Sequence, residues 1–390
     1  SWRNLKPDGN PLIRYFANPS PVLSETPLSD TSASSGWRRA EGDDLRKFSM
    51  VGYGFAQRLA RDLGIPVGLV FTARGGTAMQ TWIPFGAMDG SEYLKSRREE
   101  YFKSLPAWKN GGYEKAAKAH REKMAKHKAA VEKAKKEKKR PPSMSWSETV
   151  APVPETPFFA PRTPAIHWNG KVAPLAGYSA RGFLWYQGES DYMWSGFKSI
   201  FEGMTKAWRA AWGKPEMYFL CVQLPSYKDN GWEYMRWDQM RASLENPNAG
   251  VAVSIDTGDR DDVHPTDKKA IVDRLAAIAL HDVYGRKDLA VYGPVFKSAK
   301  YSGDTAEIEF DLRGRKLECR GAPRGFLAKG KDGKWREASA KVSGGKLAVS
   351  TLDGSEIRGV RYLWKGWAKP DVCIYNDAGL PAFGFSDEKR

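Results

Sequence analysis

A chain of 390 residues is too long for one ordinary hydrophobic core, so about two domains are expected. Its 41% hydrophobic and 12% aromatic residues exclude a wholly disordered chain, and no apolar run reaches the roughly 20 residues that a bilayer-spanning helix needs. The net charge of +16 does not make this a nucleic-acid-binding protein. Twelve Lys and Arg stand against four Glu in residues 113–140, so half of the excess lies in one 28-residue run and the rest of the chain is only mildly basic.

Residues 1–47 are rich in Pro, Ser and Asp and read as an extended lead-in carrying loops. The start, Ser1-Trp2-Arg3-Asn4, has no basic and apolar leader and no initiator Met, so a processed or truncated product is expected. From 48 to 63 the apolar Val51, Phe55 and Leu59 recur at helical spacing, and Gly64 supplies a C-cap before a strand over 66–71. Further strands are expected at 182–186, 217–223 and 251–256, with a weaker one at 173–178. They alternate with helices at 196–212, 231–245 and 267–283. That alternation implies an α/β domain with a mostly parallel sheet covered on both faces.

An insertion over about 90–160 interrupts the pattern. Its Ala-, Lys- and Glu-rich middle, 114–139, predicts a long solvated helix with Glu and Lys paired at i,i+4. No aromatic residue is interleaved there, so single-stranded nucleic acid has no stacking platform. After 285 short alternating runs at 306–310, 326–328, 346–350 and 360–364, separated by Gly and Asp, predict a small all-β domain of sandwich type. The division is therefore 1–285, an α/β domain carrying the insertion, and 286–390, a β accessory domain. Cys221, Cys319 and Cys373 match no zinc spacing and read as small buried apolar residues.

Three segments stand at strand ends, where open α/β sheets place their ligands. In Thr72-Ala73-Arg74-Gly75-Gly76-Thr77 the paired glycines let backbone N–H groups approach a developing anion. Trp185-Tyr186-Gln187-Gly188-Glu189-Ser190-Asp191 crowds two rings, an amide and carboxylates into seven residues. In Asp261-Asp262-Val263-His264-Pro265 carboxylates two and three residues before His264 can orient an imidazole and stabilise its charged form. The other histidines are poorer candidates: His120 and His127 lie in the charged insertion, His281 on a helix, and His167 beside no clustered carboxylate.

In this order the segments resemble the sialate O-acetylesterase family, a branch of the SGNH hydrolases. The resemblance is carried by Phe48-Ser49-Met50-Val51-Gly52-Tyr53, Val67-Gly68-Leu69 leading to Gly75-Gly76-Thr77 and Trp82, and Asn169-Gly170. It continues through the Trp185 to Ser190 block, Val222-Gln223-Leu224, and Asp262-Val263-His264-Pro265 with Lys268 and Arg274-Leu275. It implies a three-layer α/β/α, flavodoxin-like domain and hydrolysis of acetyl esters on sialic acids or related sugars, with no metal or cofactor, in a secreted or periplasmic setting.

By the same resemblance His264 is general base and acid, and Asp262 or Asp261 orients it. Gly75 or Gly76 and Gln187 form the oxyanion hole, and Arg74, Trp185, Tyr186 and Glu189 meet the substrate. Arg74 stands where relatives tend to have an aromatic residue, which implies a pocket for a different or more acidic sugar. The family's nucleophile is a Ser in a Gly-Gln-Ser-Asn block, and these 390 residues contain no such block. Ser20, Ser24, Ser34 and Ser49 sit in the wrong context. An N-terminal segment or second chain carrying the Ser is therefore an expected partner, besides an acetylated glycan; nucleic acid and membrane are not. The competing reading is a non-catalytic carbohydrate-binding relative in which Trp185, Tyr186, Tyr192 and Trp194 stack on sugars.

Overall fold

A computed structural model of the protein describes residues 8–18, 23–31, 36–191, 196–228 and 231–388. Its first strands, β1 (Asn10–Ala17) and β2 (Trp37–Ala40), lie in the lead-in that sequence alone assigns to loops. Helix α1 (Met50–Leu63) begins where the Ser49 hydroxyl accepts from Gly52 N–H, and it ends at Gly64, whose φ of 69° suits a residue without Cβ. Strand β3 (Val67–Phe71) follows. The insertion contains α2 (Glu92–Ala107), α3 (Tyr113–Lys136) and the single turn α4 (Trp146–Thr149). Only Ala117 of α3 is buried, as expected for a solvated helix.

The remainder of the α/β unit is β4 (Gly182–Trp185), α5 (Phe197–Trp212), β5 (Tyr218–Val222), α6 (Trp232–Leu244), β6 (Ala249–Ala252) and α7 (Lys269–Ile278). Helix α5 shows why such elements are legible. Phe197, Ile200, Phe201, Met204, Trp208 and Trp212 recur every three or four residues and are buried. The weak strand expected at 173–178 is absent: Ala173–Leu175 is a 3-10 turn, because Pro174 fixes φ and offers no ladder donor.

Instead of one mostly parallel sheet the strands form two sheets of three, ordered β2-β1-β3 and β4-β5-β6. The pairings β1/β3, β4/β5 and β5/β6 are parallel and β1/β2 is antiparallel. Among the described residues no ladder joins β3 to β4. Helices pack in two pairs, α1 with α7 and α5 with α6, and α6 and α7 both cover β5 and β6.

The tail is all-β as expected, with β7 (Val295–Ser302), β8 (Thr305–Asp311), β9 (Leu317–Cys319), β10 (Phe326–Gly330), β11 (Trp335–Ser343), β12 (Lys346–Thr351), β13 (Ile357–Tyr362), β14 (Ile374–Asn376) and β15 (Phe385–Ser386). Seven of these make one antiparallel sheet, β15-β13-β10-β11-β12-β8-β7, that curls until β13 touches β7. This nearly closed sheet replaces the expected sandwich, and β9 and β14 pair separately. One apolar cluster runs from Phe55 in α1 to Phe385 in β15, so the two units share a core.

Buried polar contacts lock them. Arg236 of α6 is 2% exposed and donates to Gly366 O at 3.0 Å and to Lys365 O. Gly366 O also accepts from Tyr227 N–H, so removal of the guanidinium orphans Lys365 O alone. Arg236→Met is expected to cost about 1–3 kcal/mol in urea unfolding, the penalty for a buried unsatisfied carbonyl; a change within the scatter of the measurement would show that the junction does not depend on it.

Candidate functional site

The glycine turn follows β3, the Gln187 segment follows β4 and the His264 loop follows β6, so all three emerge at the C-terminal ends of parallel strands. Gln187 is almost fully buried, and its amide nitrogen donates to Thr77 O at 3.2 Å and to a carboxylate oxygen of Asp191. The same Asp191 oxygen accepts from Met79 N–H at 2.9 Å. One carboxylate thus joins the segment after β4 to the segment after β3. Gln239 holds the strand end from behind, donating to Gln187 O at 2.8 Å and accepting from Leu224 N–H at 2.7 Å. Gly188 has no side chain because a Cβ there would lie 2.8 Å from the Gln239 amide nitrogen.

The glycine turn is closed by the Thr77 hydroxyl, which donates to Arg74 O at 2.8 Å while accepting from the Trp82 indole at 3.0 Å. Gly76 has φ of 74°, and the Trp146 ring of α4 lies over it. Arg74 is exposed at the turn, and its charge reaches His167 and Lys171. Burial, helped by Lys171 and Arg74, pushes His167 down to about 3, and burial with Arg74 pushes Lys171 down to about 8.

Trp185 and Tyr186 diverge as successive strand residues must. The Trp185 ring is enclosed between Trp82 and Trp208, at 6.2 and 6.1 Å, so it is a core side chain without an open face for a sugar. The Tyr186 hydroxyl accepts from Lys268 Nζ at 3.1 Å. Burial raises Tyr186 and Glu189 and lowers Lys268. His264 and Lys268 both lie close enough to draw Glu189 back toward its ionised form. Tyr186, Glu189, His264 and Lys268 therefore come together. Tyr192 and Trp194 lie outside the described residues.

The His264 loop is open to solvent. The His264 side chain is 86% exposed, and its Nδ1 stands 4.0 Å from Asp262 Oδ1, beyond hydrogen-bond reach. Asp262 instead accepts from His264 N–H at 2.8 Å, whereas Asp261 pairs with Lys228 at 3.1 Å. Asp262 is thus the nearer of the two carboxylates to the imidazole. Ser49 caps α1, consistent with leaving it outside the chemistry. Among the described residues no His, Cys, Asp and Glu cluster could hold a metal ion.

Sequence reasoning passed over Asp191 and Gln239 as site residues. Asp191 is four positions from Gln187, but its bond to Met79 spans 112 positions and that of Gln239 to Gln187 spans 52, so local spacing does not reveal their bridging part.

Comparisons with known proteins find similarity to carbohydrate esterases. The family model "Carbohydrate esterase, sialic acid-specific acetylesterase" matches residues 170–279. Over most of the chain its relatives are sialate O-acetylesterases, which is the family named by the sequence motifs: those of rat (28% identity over 85% of the chain) and mouse (25% over 95%). The chain spans 62% of the rat protein's length and 70% of the mouse protein's. A crystal structure of a carbohydrate acetylesterase from Xanthomonas citri superposes with a TM-score of 0.75 at 26% identity, over 98% of this chain and 74% of that one.

Burial raises Asp191 to about 6, outweighing the Met79 and Gln187 hydrogen bonds and the Arg162 charge. A carboxylate raised in the folded state binds a proton there that the unfolded chain has released, so its contribution to stability falls as pH rises from about 4 to about 6. Asp191→Asn removes that term. Urea unfolding at pH 4 and pH 7 is expected to show the variant losing less stability than the parent over this interval, by on the order of 3 kcal/mol. Equal losses would place the Asp191 titration at its ordinary value.

Proposed function

We propose that this chain forms the oxyanion and acid–base parts of an esterase that removes O-acetyl groups from sialic acid or a related acetylated sugar, acting outside the cytoplasm, and that a segment outside these 390 residues supplies the nucleophilic Ser. The observation that carries this reading is the position of the Gly75–Gly76 turn, Gln187 and the His264 loop after the C-terminal ends of β3, β4 and β6, with Gln187 bonded to Thr77 and Glu189 within reach of the His264 charge. The relatives' names give the substrate class.

In this mechanism His264 takes the Ser proton while Asp262, brought within hydrogen-bond reach of Nδ1, orients the ring. The alkoxide attacks the acetyl carbonyl, and the C=O pair moves onto oxygen. The N–H groups of Gly75 or Gly76 and the Gln187 amide stabilise that anion. Collapse expels the sugar hydroxyl, which leaves with the His264 proton. Water, deprotonated by His264, then attacks the acyl-serine, and acetate departs as the Ser oxygen recovers its proton.

Two features must shift between this structure and the working site. Both Gln187 N–H groups are held by Thr77 and Asp191, so one must turn toward the substrate. The imidazole must also swing in from solvent, as apo catalytic hydrogen bonds often tighten only in the complex. Arg74 and Lys171 put positive charge beside the glycine turn, which suits the carboxylate of a sialic acid.

With the preceding segment restored, the chain is expected to hydrolyse p-nitrophenyl acetate and an O-acetylated sialic acid, and His264→Ala is expected to lower kcat by at least ~10³-fold. Full activity in the variant would refute the assignment of the base. Glycan binding with no turnover in the restored protein would support the carbohydrate-binding alternative, for which the exposed His264 is the favouring observation.

A further inference from the structure

A sugar needs an open ring face to stack on, and neither ring of the Trp185–Tyr186 pair offers one. Trp185 is enclosed by Trp82 and Trp208, and Lys268 Nζ lies over the Tyr186 ring at 5.1 Å. Of the Trp rings among the described residues, Trp37 and Trp146 alone are more than a third exposed, at 43% and 52%. Trp37 lies over Gly68, near the start of β3. Trp146 lies beyond the other end of that strand, over Gly76 in the turn that follows it.

A single exposed aromatic residue on a protein surface is ordinary and by itself marks nothing. Trp146 differs in being fixed. It opens α4, where the Ser145 N–H and hydroxyl donate to Glu148 at 3.0 and 2.7 Å, and Lys123 of α3 pairs with the same carboxylate at 2.8 Å. The Thr149 hydroxyl donates to Trp146 O at 2.7 Å, and Phe159 meets the indole edge-on at 5.2 Å. A Cβ on Gly76 would lie 2.6 Å from Cη2 of the ring, so the indole edge fits against bare backbone. A ring of this size is costly to leave in water, and these contacts hold it at the turn instead of folding it into the core.

We propose that Trp146 is the stacking platform of a sugar subsite, whose open face takes the apolar C–H face of the pyranose that bears the acetyl ester. The inference rests on the proposed function, which sets the acetyl carbonyl against the N–H groups of Gly75 or Gly76. One ester oxygen separates that carbonyl from the carbon skeleton of the sugar, so the pyranose lies against whatever flanks the turn, and the indole flanks it. The chemistry matches: the face of an indole is electron-rich and apolar, and the C–H groups of a pyranose are its complement. Arg74 is exposed at the same turn and adds a cation for a sugar that carries a carboxylate. The basic insertion is then a recognition element, in which α3 holds α4 and α4 holds the ring.

The test compares two esters in the protein with the preceding segment restored: the methyl glycoside of an O-acetylated sialic acid, which has a sugar ring, and ethyl acetate, which has no ring at all. Trp146→Ala is expected to raise KM for the sialoside about 10-fold with little change in kcat, and so to lower kcat/KM for the sialoside relative to ethyl acetate. Trp146→Phe, which keeps a ring, is expected to recover most of the loss, and Trp37→Ala to change neither substrate. An unchanged ratio of the two kcat/KM values in Trp146→Ala would overturn the proposal, whether both fall together, as for a ring that only supports the turn, or neither falls. Binding is read separately, by calorimetric titration of the 390-residue chain with the same sialoside. If the parent hydrolyses neither ester, the proposed function fails and the titration decides the platform: an affinity about 10-fold weaker in Trp146→Ala upholds it, and equal affinity, or no binding by the parent, overturns it.

Discussion

The site depends on one buried carboxylate. Asp191 accepts from the Gln187 amide and from Met79 N–H through a single oxygen, in surroundings dry enough to push its titration up to about 6. Burial of that charge is costly, and the cost is offset only while both donors stay in place. The loops after β3 and β4 are therefore not free to move independently. Rigidity spreads from there: Thr77 accepts from Trp82, Trp82 O accepts from Trp208 of α5, and Gln239 of α6 clamps Gln187 and Leu224. This network fixes the Gln187 side chain in place between the two loops.

The His264 loop has the opposite character. The bonds nearest the imidazole are short-range: Asp259 accepts from Asp261 N–H and Asp262 N–H, and Asp262 accepts from His264 N–H. The anchor is at the loop's start, where Arg274 forks onto both oxygens of Asp256 at 2.6 Å and reaches Val253 O at 2.8 Å. Beyond that anchor Lys369 donates to Gly258 O at 3.0 Å and Lys228 pairs with Asp261 at 3.1 Å, and the imidazole itself stays exposed. The segments after β3 and β4 are thus tied to one another by tertiary contacts, whereas the His264 ring is left in solvent.

This division follows what the sequence makes legible. Helices α1 and α5 were readable because each combines a 3.6-residue apolar period with a cap or a following Gly, both local signals. Strand β1 was not, because it sits among Pro and Ser and owes its existence to pairing with β3, more than fifty residues later. The strand-end residues Gly75, Gly76 and Gln187 stood out by position. The Asp191 bridge did not, since the i−4 partner Gln187 says nothing of the Met79 N–H 112 residues away. Trp185 and Tyr186 looked alike as ring planes, and only the alternation of strand faces sends one into the core and the other toward Lys268.

The charge of the insertion gains its meaning from the same geometry. Ala117 is the one buried residue of helix α3, so Lys and Glu are what keep so long a helix solvated. Its connection to the site is indirect: Lys123 pairs with Glu148 at 2.8 Å, and Glu148 also closes the capping box of α4 with Ser145. That turn holds Trp146 edge-on to Phe159 at 5.2 Å and over the Gly75–Gly76 turn. A Cβ at Gly76 would lie 2.6 Å from the indole, and the φ of 74° disfavours any side chain independently. Gly76 is therefore constrained twice, by its own backbone and by a ring that the basic insertion delivers. The strongest sequence anomaly, eight excess positive charges in one run, thus acts at the site through a single neutral side chain at its far end.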